Sequence, residues 1–221
     1  MEHSLSNDAL REWYRERGFG GRVGFGQSPA LLVIDIARGW LDPSTSIGSD
    51  QKDMLENILA VLRAARSADV PVIFTTMGGL GDSDEVFDLK LPGSAADVRN
   101  PELMQLEPIL ERSPSEPVLV KPRQSAFFGT RLVGQLIGLG VDTAIVVGSS
   151  TSGCIRSTCE DAFNNNLRVI VPREAVGDRS VSAHEANLFD IDNRFGDVMP
   201  VGEVLGWLAA RQTSGGGAGD G

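Results

Sequence analysis

Apolar residues along this chain gather into short dense runs, separated by stretches of helical spacing. Residues 30–36 read ALLVIDI, an unbroken aliphatic run that carries a carboxylate near its end. A run without alternation predicts a strand buried on both faces, as in parallel sheets. Over residues 50–67 the period changes, and Met54, Ile58, Val61, Leu62 and Ala65 share one helical face. Further strands are predicted at 70–75, at 117–121 (ending in a lysine), at 143–147, at 167–171 and, briefly, at 197–199. Helices are predicted at 130–139, closed by Gly140, at 152–165, stopped by Asn164 to Asn166, and at 182–195. Residues 204–211 close the fold. Strands alternating with helices at this spacing predict a three-layer α/β/α domain over residues 29–211. Its doubly wound, Rossmann-like sheet is expected to have six mostly parallel strands.

The flanks differ. Residues 8–17 predict a short polar helix carrying Trp13 and Tyr14, and residues 18–26, GFGGRVGFG, a glycine-rich loop. This loop precedes a strand instead of following one and opening a helix, so it lacks the context of a dinucleotide motif. Residues 1–28 are therefore expected to form an arm, packed on their own domain or on a neighbouring subunit. Residues 77–115 are a long excursion rich in Gly, Pro and acids, and such loops in compact domains often serve as lids. Residues 212–221 predict a flexible glycine-rich tail.

Composition narrows the partners. A length of 221 residues suits one domain, and a hydrophobic fraction of 41% can fill its core without disulfides. Twenty Lys+Arg against thirty Asp+Glu give a net charge of −10, which argues against nucleic acid or an anionic membrane as partner. No apolar stretch resembles a signal-peptide core or a membrane span. Two cysteines at 154 and 159 make no disulfide framework, and reduced thiols lead to the expectation of a cytoplasmic protein. Two histidines rule out a multi-histidine metal site within one chain.

In a parallel sheet, ligands bind beyond the carboxyl ends of the strands. The first strand brings Asp35 there, the third brings Lys121, and the fourth runs into GSSTSGCIR, residues 148–156. That small, polar segment sets Cys154 near the start of a helix, with Thr151 and Ser152 as plausible N-caps. A thiol beside unpaired N–H groups, the positive helix end and a lysine is expected to have a lowered pKa. A nearby carboxylate can take its proton. Asp35, Lys121 and Cys154 together make a nucleophilic amidase site without histidine, metal or cofactor. Each also has a plainer reading: a small buried hydrophobe, a turn residue, a solvated strand-end charge. Cys159 lies about 140° further round the same helix and reads as core filler.

The segments VIDIARGWLDP, VKPRQSAFFGTRL, VVGSSTSGCIRSTCEDA and SAHEANLFDIDNRFGDV resemble the signature blocks of the isochorismatase-like cysteine hydrolases, over roughly residues 25–208. The resemblance implies a catalytic triad of Asp35, Lys121 and Cys154. It also implies a non-proline cis peptide at Ser149–Ser150, and an oxyanion hole from the backbone N–H groups of Ser150 and Cys154. Within the family, GFGQSPALLVID and TSGCIR are similar to N-carbamoylsarcosine amidases and maleamate amidohydrolases. That likeness implies that Arg179, 25 residues past Cys154, holds a substrate carboxylate. Thr151 would add a hydroxyl hydrogen bond to the substrate. A guanidinium fork suits a carboxylate bidentately.

The resemblance thus implies release of ammonia from a small carboxylate-bearing amide or ureido substrate, N-carbamoylsarcosine first and maleamate as the alternative. Nicotinamidases carry an aspartate and histidines as metal ligands after the second strand, where this chain reads TTMGGLGDSD. True isochorismatases lack the cysteine. A non-catalytic binding or assembly module is the rival class. Arg156 is expected to pair with Glu160, and His184 to be structural or interfacial. Family habit implies a homo-oligomer, a tetramer.

Overall fold

The computed structural model describes residues 7–81 and 84–215. Helix α1 (Asn7–Arg15) leads through the glycine-rich loop into strand β1 (Pro29–Ile34). There follow α2 (Arg38–Leu41), α3 (Lys52–Ser67), β2 (Val72–Met77), α4 (Glu85–Lys90), α5 (Ala95–Arg99), β3 (Val118–Lys121) and α6 (Leu132–Gly138). The second half holds β4 (Thr143–Ser149), α7 (Arg156–Asn164), β5 (Arg168–Pro172), β6 (Val176–Gly177), α8 (Val181–Arg194), β7 (Asp197–Met199) and α9 (Val201–Gly215).

The sheet runs β3-β2-β1-β4-β5-β7, with β6 paired to the end of β4. Every pairing is parallel. Among the described residues the sheet therefore has seven strands, where six were expected. The addition, β6, has two residues, too few for any periodicity to register. From β1 the chain builds outward to β3 on one side, then returns to β4 and builds outward on the other. The junction of β1 and β4 is the switch point at which such sheets open a crevice.

Strand β1 is buried at all six positions, and its side chains alternate between two cores. Ala30, Leu32 and Ile34 join a cluster with Leu136, Ile155 and Leu188 of the helical layer on one face. Leu31 and Val33 join Ile58, Leu62, Val204 and Leu208 on the other. Coverage of both faces is why the run showed no alternation. A third, small cluster of Ile47, Met77, Val98 and Met104 lies beneath the long excursion. The excursion is not structureless, since it holds α4, α5 and a 3-10 turn at Pro108–Leu110. Its far end is tied to α3 by Arg66, whose Nε and Nη2 each donate to a Glu116 carboxylate oxygen at 2.8 Å.

The arm packs on its own domain. The N–H groups of Val23 and Gly24 donate to the nearly buried Asp197, and those of Gln27 and Ser28 to Asp142. Phe25 stacks on Trp207 of α9 with ring centroids 4.1 Å apart. Helix α9 continues through residues 212–215, which the sequence assigned to the tail. Residues 216–221, His3 and two excursion residues, 82 and 83, lie outside the described residues. Among the described residues no helix is long and apolar enough to cross a membrane.

Candidate active site

The site is assembled where three strands end. Asp35 follows β1 directly and adopts a left-handed φ of 54°. Beside it β4 approaches closely: at Gly148, with φ 125°, a Cβ would run into the Ile34 carbonyl oxygen. Only glycine fits that approach and that conformation. Asp35 is fully buried, and its Oδ1 accepts a hydrogen bond from Thr75 Oγ1 at 2.8 Å.

Lys121 ends β3 and is also fully buried. A buried ammonium is tolerated only with partners. Its Nζ lies 2.7 Å from Asp35 Oδ2, 3.0 Å from the Arg123 carbonyl, 3.0 Å from Met77 Sδ and 3.2 Å from Cys154 Sγ. Burial pulls the lysine pKa down, but Asp35 and Cys154 outweigh it and the net shift is upward. Lys121 therefore stays charged, and the three residues expected to act together do meet.

Cys154 is carried on a π-helical turn, Thr151–Ile155, ahead of α7. Such turns recur at functional sites. Its thiol is not lowered as expected. Burial first, and then the Asp35 carboxylate, push it up to about 12, against the opposing pull of Lys121. A helix end lowers a thiol pKa where the sulfur is solvated. Here the sulfur is desolvated and the lysine charge is already shared with Asp35. The resting group is a protonated thiol, and the thiol and the buried Asp35 carboxylate both lie against the Lys121 ammonium. Cys159 is wholly buried in the core, as expected, and burial raises its thiol too.

The peptide between Ser149 and Ser150 is cis. Ser150 itself holds the N-cap position that the sequence gave to Thr151 or Ser152, and no side chain caps the turn. The Ser150 carbonyl accepts from the N–H groups of Gly153 and Ile155 at 3.0 and 3.2 Å. Ser150, Gly153 and Cys154 line a cavity of about 710 Å³. Trp40, Phe87 of α4 and Phe128 supply much of its apolar wall. The excursion thus contributes to the cavity, in keeping with a lid.

Arg179 lines the same cavity from the loop after β6. Its Nη2 donates to the Ile47 carbonyl at 2.7 Å, and its guanidinium carbon lies 6.0 Å from the centroid of the Trp40 ring. Thr151 is placed differently from its expectation. It is fully buried, and its hydroxyl lies 2.9 Å from His184 Nδ1 instead of facing the cavity. Arg156 pairs with Glu160 at 3.4 Å, as the helical spacing predicts.

The sequence reading missed Thr75, although a threonine pair at the end of the apolar strand VIFTTM was a visible signal. It also missed Trp40 and Asp178, which nothing local distinguishes. Among the described residues, no cluster of three or more His, Cys, Asp or Glu side chains could hold a metal ion.

A model of the isochorismatase domain matches residues 29–203. The chain is 35% identical over 206 residues to an N-carbamoylsarcosine amidase of an Arthrobacter species, covering 89% of this chain and 77% of that protein. It is 38% identical over 191 residues to a maleamate amidohydrolase of Pseudomonas putida, covering 82% and 87%. The crystal structure of a cysteine hydrolase from Pseudomonas syringae superposes with a TM-score of 0.78 at 23% identity, covering 86% and 98%.

Proposed function

The chain belongs to the isochorismatase family, and on that footing we propose that it is a cysteine amidohydrolase releasing ammonia from a small carboxylate-bearing amide or ureido compound. One observation carries the reading. Lys121 Nζ bridges Asp35, at 2.7 Å, and Cys154, at 3.2 Å, and Cys154 lines a cavity that Arg179 also lines.

In the first step the Cys154 thiol passes its proton to Asp35, and Lys121 holds the charges that result. The sulfur attacks the amide or ureido carbonyl carbon. The backbone N–H groups of Ser150 and Cys154 receive the oxyanion; loss of one such donor costs about 3–4 kcal/mol in a serine hydrolase. The C–N bond then breaks, Asp35 returns its proton to the leaving nitrogen, and ammonia departs. Water, deprotonated by Asp35, cleaves the thioester and restores the thiol. Arg179 fixes the substrate carboxylate as a bidentate fork.

N-carbamoylsarcosine is the substrate we propose: after ammonia leaves, hydrolysis of the thiocarbamate on Cys154 releases N-carboxysarcosine, whose remaining C–N bond breaks with loss of carbon dioxide to give sarcosine. The relative at 38% identity supports maleamate, giving maleate and ammonia, as the second candidate. Exposed Leu89, Ile137 and Val181 are consistent with self-association, and a homotetramer is the state we propose, to be checked by light scattering.

The test is ammonia release across N-carbamoylsarcosine, other N-carbamoyl amino acids, maleamate, nicotinamide and biuret, for the parent protein and Cys154→Ser. Turnover of a carboxylate-bearing member, lost in the folded variant, is expected. Undiminished release by Cys154→Ser would refute the nucleophile.

A further inference from the structure

The turn that bears Cys154 is fastened from outside at two points. Thr151 Oγ1 lies 2.9 Å from His184 Nδ1, in the first turn of α8. Asp178 Oδ2 accepts from the Ser152 backbone N–H at 2.8 Å and from the Ser152 hydroxyl at 2.7 Å. The same stretch is braced internally. Asp178 Oδ1 accepts from the Ser180 N–H at 3.2 Å, and the Ser180 hydroxyl caps α8 through the Ala183 N–H at 3.3 Å. Residues 178–184 therefore form a strap across the nucleophile turn, and Arg179 is part of that strap.

A single π turn has no neighbouring turns of its own kind to hold it, and the side chain of its N-cap, Ser150, makes no capping bond to it. Beyond its own bonds to the Ser150 carbonyl and its run into α7, its shape depends on contacts from outside. The Thr151 hydroxyl is buried and satisfied by the imidazole, whose own desolvation lowers the histidine pKa. A neutral imidazole keeps one donor and one acceptor nitrogen, so either tautomer can complete the bond.

We propose that His184 and Asp178 are positioning residues that hold the Ser150–Cys154 turn in the geometry that presents the nucleophile and the oxyanion donors, while Arg179, on the same strap, keeps a separate anchor at the Ile47 carbonyl. The proposal rests on the amidohydrolase reading. It gives Thr151, buried away from the cavity, a role through the turn it anchors. Displacement of a reacting group by about 1 Å costs on the order of 10²-fold in rate. His184→Ala should therefore lower kcat by about 10- to 100-fold and leave KM within about twofold. His184→Asn, which sets a polar atom near the position of Nδ1, should recover most of that loss. Asp178→Ala should behave as His184→Ala does.

The experiment measures kcat and KM with N-carbamoylsarcosine or the best substrate of the panel, alongside melting temperature. It also measures iodoacetamide labelling rates at Cys154 and Cys159 by mass spectrometry. Loss of kcat at constant KM, with rescue by asparagine, supports the strap. A kcat unchanged in both alanine variants overturns it. So does a loss that tracks melting temperature and is not rescued. If the parent protein hydrolyses nothing on the panel, the amidohydrolase reading fails by itself. The labelling rates then decide the strap: altered modification of Cys154 alone supports it, and unaltered rates overturn it.

Discussion

Replacing Lys121 with methionine should be among the most destabilising single changes in this protein. Both Lys121 and Asp35 are 0% exposed and 2.7 Å apart. At that separation the Coulomb attraction is about 6 kcal/mol with an effective dielectric of about 20, and most of it offsets the desolvation of two ions. The net value of the pair is thus small. Removing one partner strands the other charge, and that costs about 3–5 kcal/mol. In a chain of this length about 1 kcal/mol moves the melting temperature by about 2–4 °C, so a fall of about 6–20 °C is expected. Asp35→Asn should cost a similar amount, because it leaves an ammonium without its counter-ion. The double variant should cost less than either single one, since no charge is then stranded. Guanidinium unfolding of the four proteins measures the cycle, with equal m-values as the check on two-state behaviour. If Lys121→Met costs under about 1 kcal/mol, or if the two single losses simply add, the buried ion pair does not organise the site as described.

Three further outcomes follow from the geometry. Arg179→Ala should raise KM for carboxylate-bearing substrates with little change in kcat, and equal kinetics on acidic and neutral amides would remove the arginine from substrate binding. Thr75→Val leaves Asp35 Oδ1 without its hydroxyl donor and should cost about 1–3 kcal/mol, read by denaturant unfolding; an unchanged midpoint would contradict the bond. The thiol of Cys154 ionises near 9 when solvated and near 12 when buried, so the folded state retains a proton that the unfolded state loses. Its stabilising contribution is complete below about pH 9 and disappears as pH rises toward about 12, so Cys154→Ala should flatten the alkaline loss of stability. An alkaline limb of unchanged steepness would disprove the raised thiol.

Much of this architecture is written in the local pattern of residues. The run at 30–36 is a central strand because only a strand covered on both faces needs unbroken aliphatic side chains. Asp35 and Lys121 each have a plain reading as a turn residue or a strand-end charge, and stood out because both end apolar strands on the side where Cys154 also lies. What the sequence did not reveal depends on contacts distant along the chain. Thr151 and His184 are 33 positions apart, and their bond exists only because α8 folds back over the turn. The direction of the Cys154 shift went wrong for the same reason. A motif shows which charges accompany a thiol, but how thoroughly water is excluded depends on every element packed above it. Strand β6 escaped notice because two residues carry no period.

The small cluster of Ile47, Met77, Val98 and Met104 has a consequence for how such a protein can change. It gives the cavity's outer wall a hydrophobic anchorage of its own, apart from the two cores that fix the strand ends. Insertions, deletions or exchanges between residues 78 and 103 should therefore be absorbed locally, while the spacing of carboxylate, ammonium and thiol stays constant; Met77, which touches Lys121, and Leu110, which packs in the α3-side core, are the fixed points at either end. For protein engineering, that stretch is an exchangeable cassette, and libraries that vary it sample new specificities on an unaltered reaction centre.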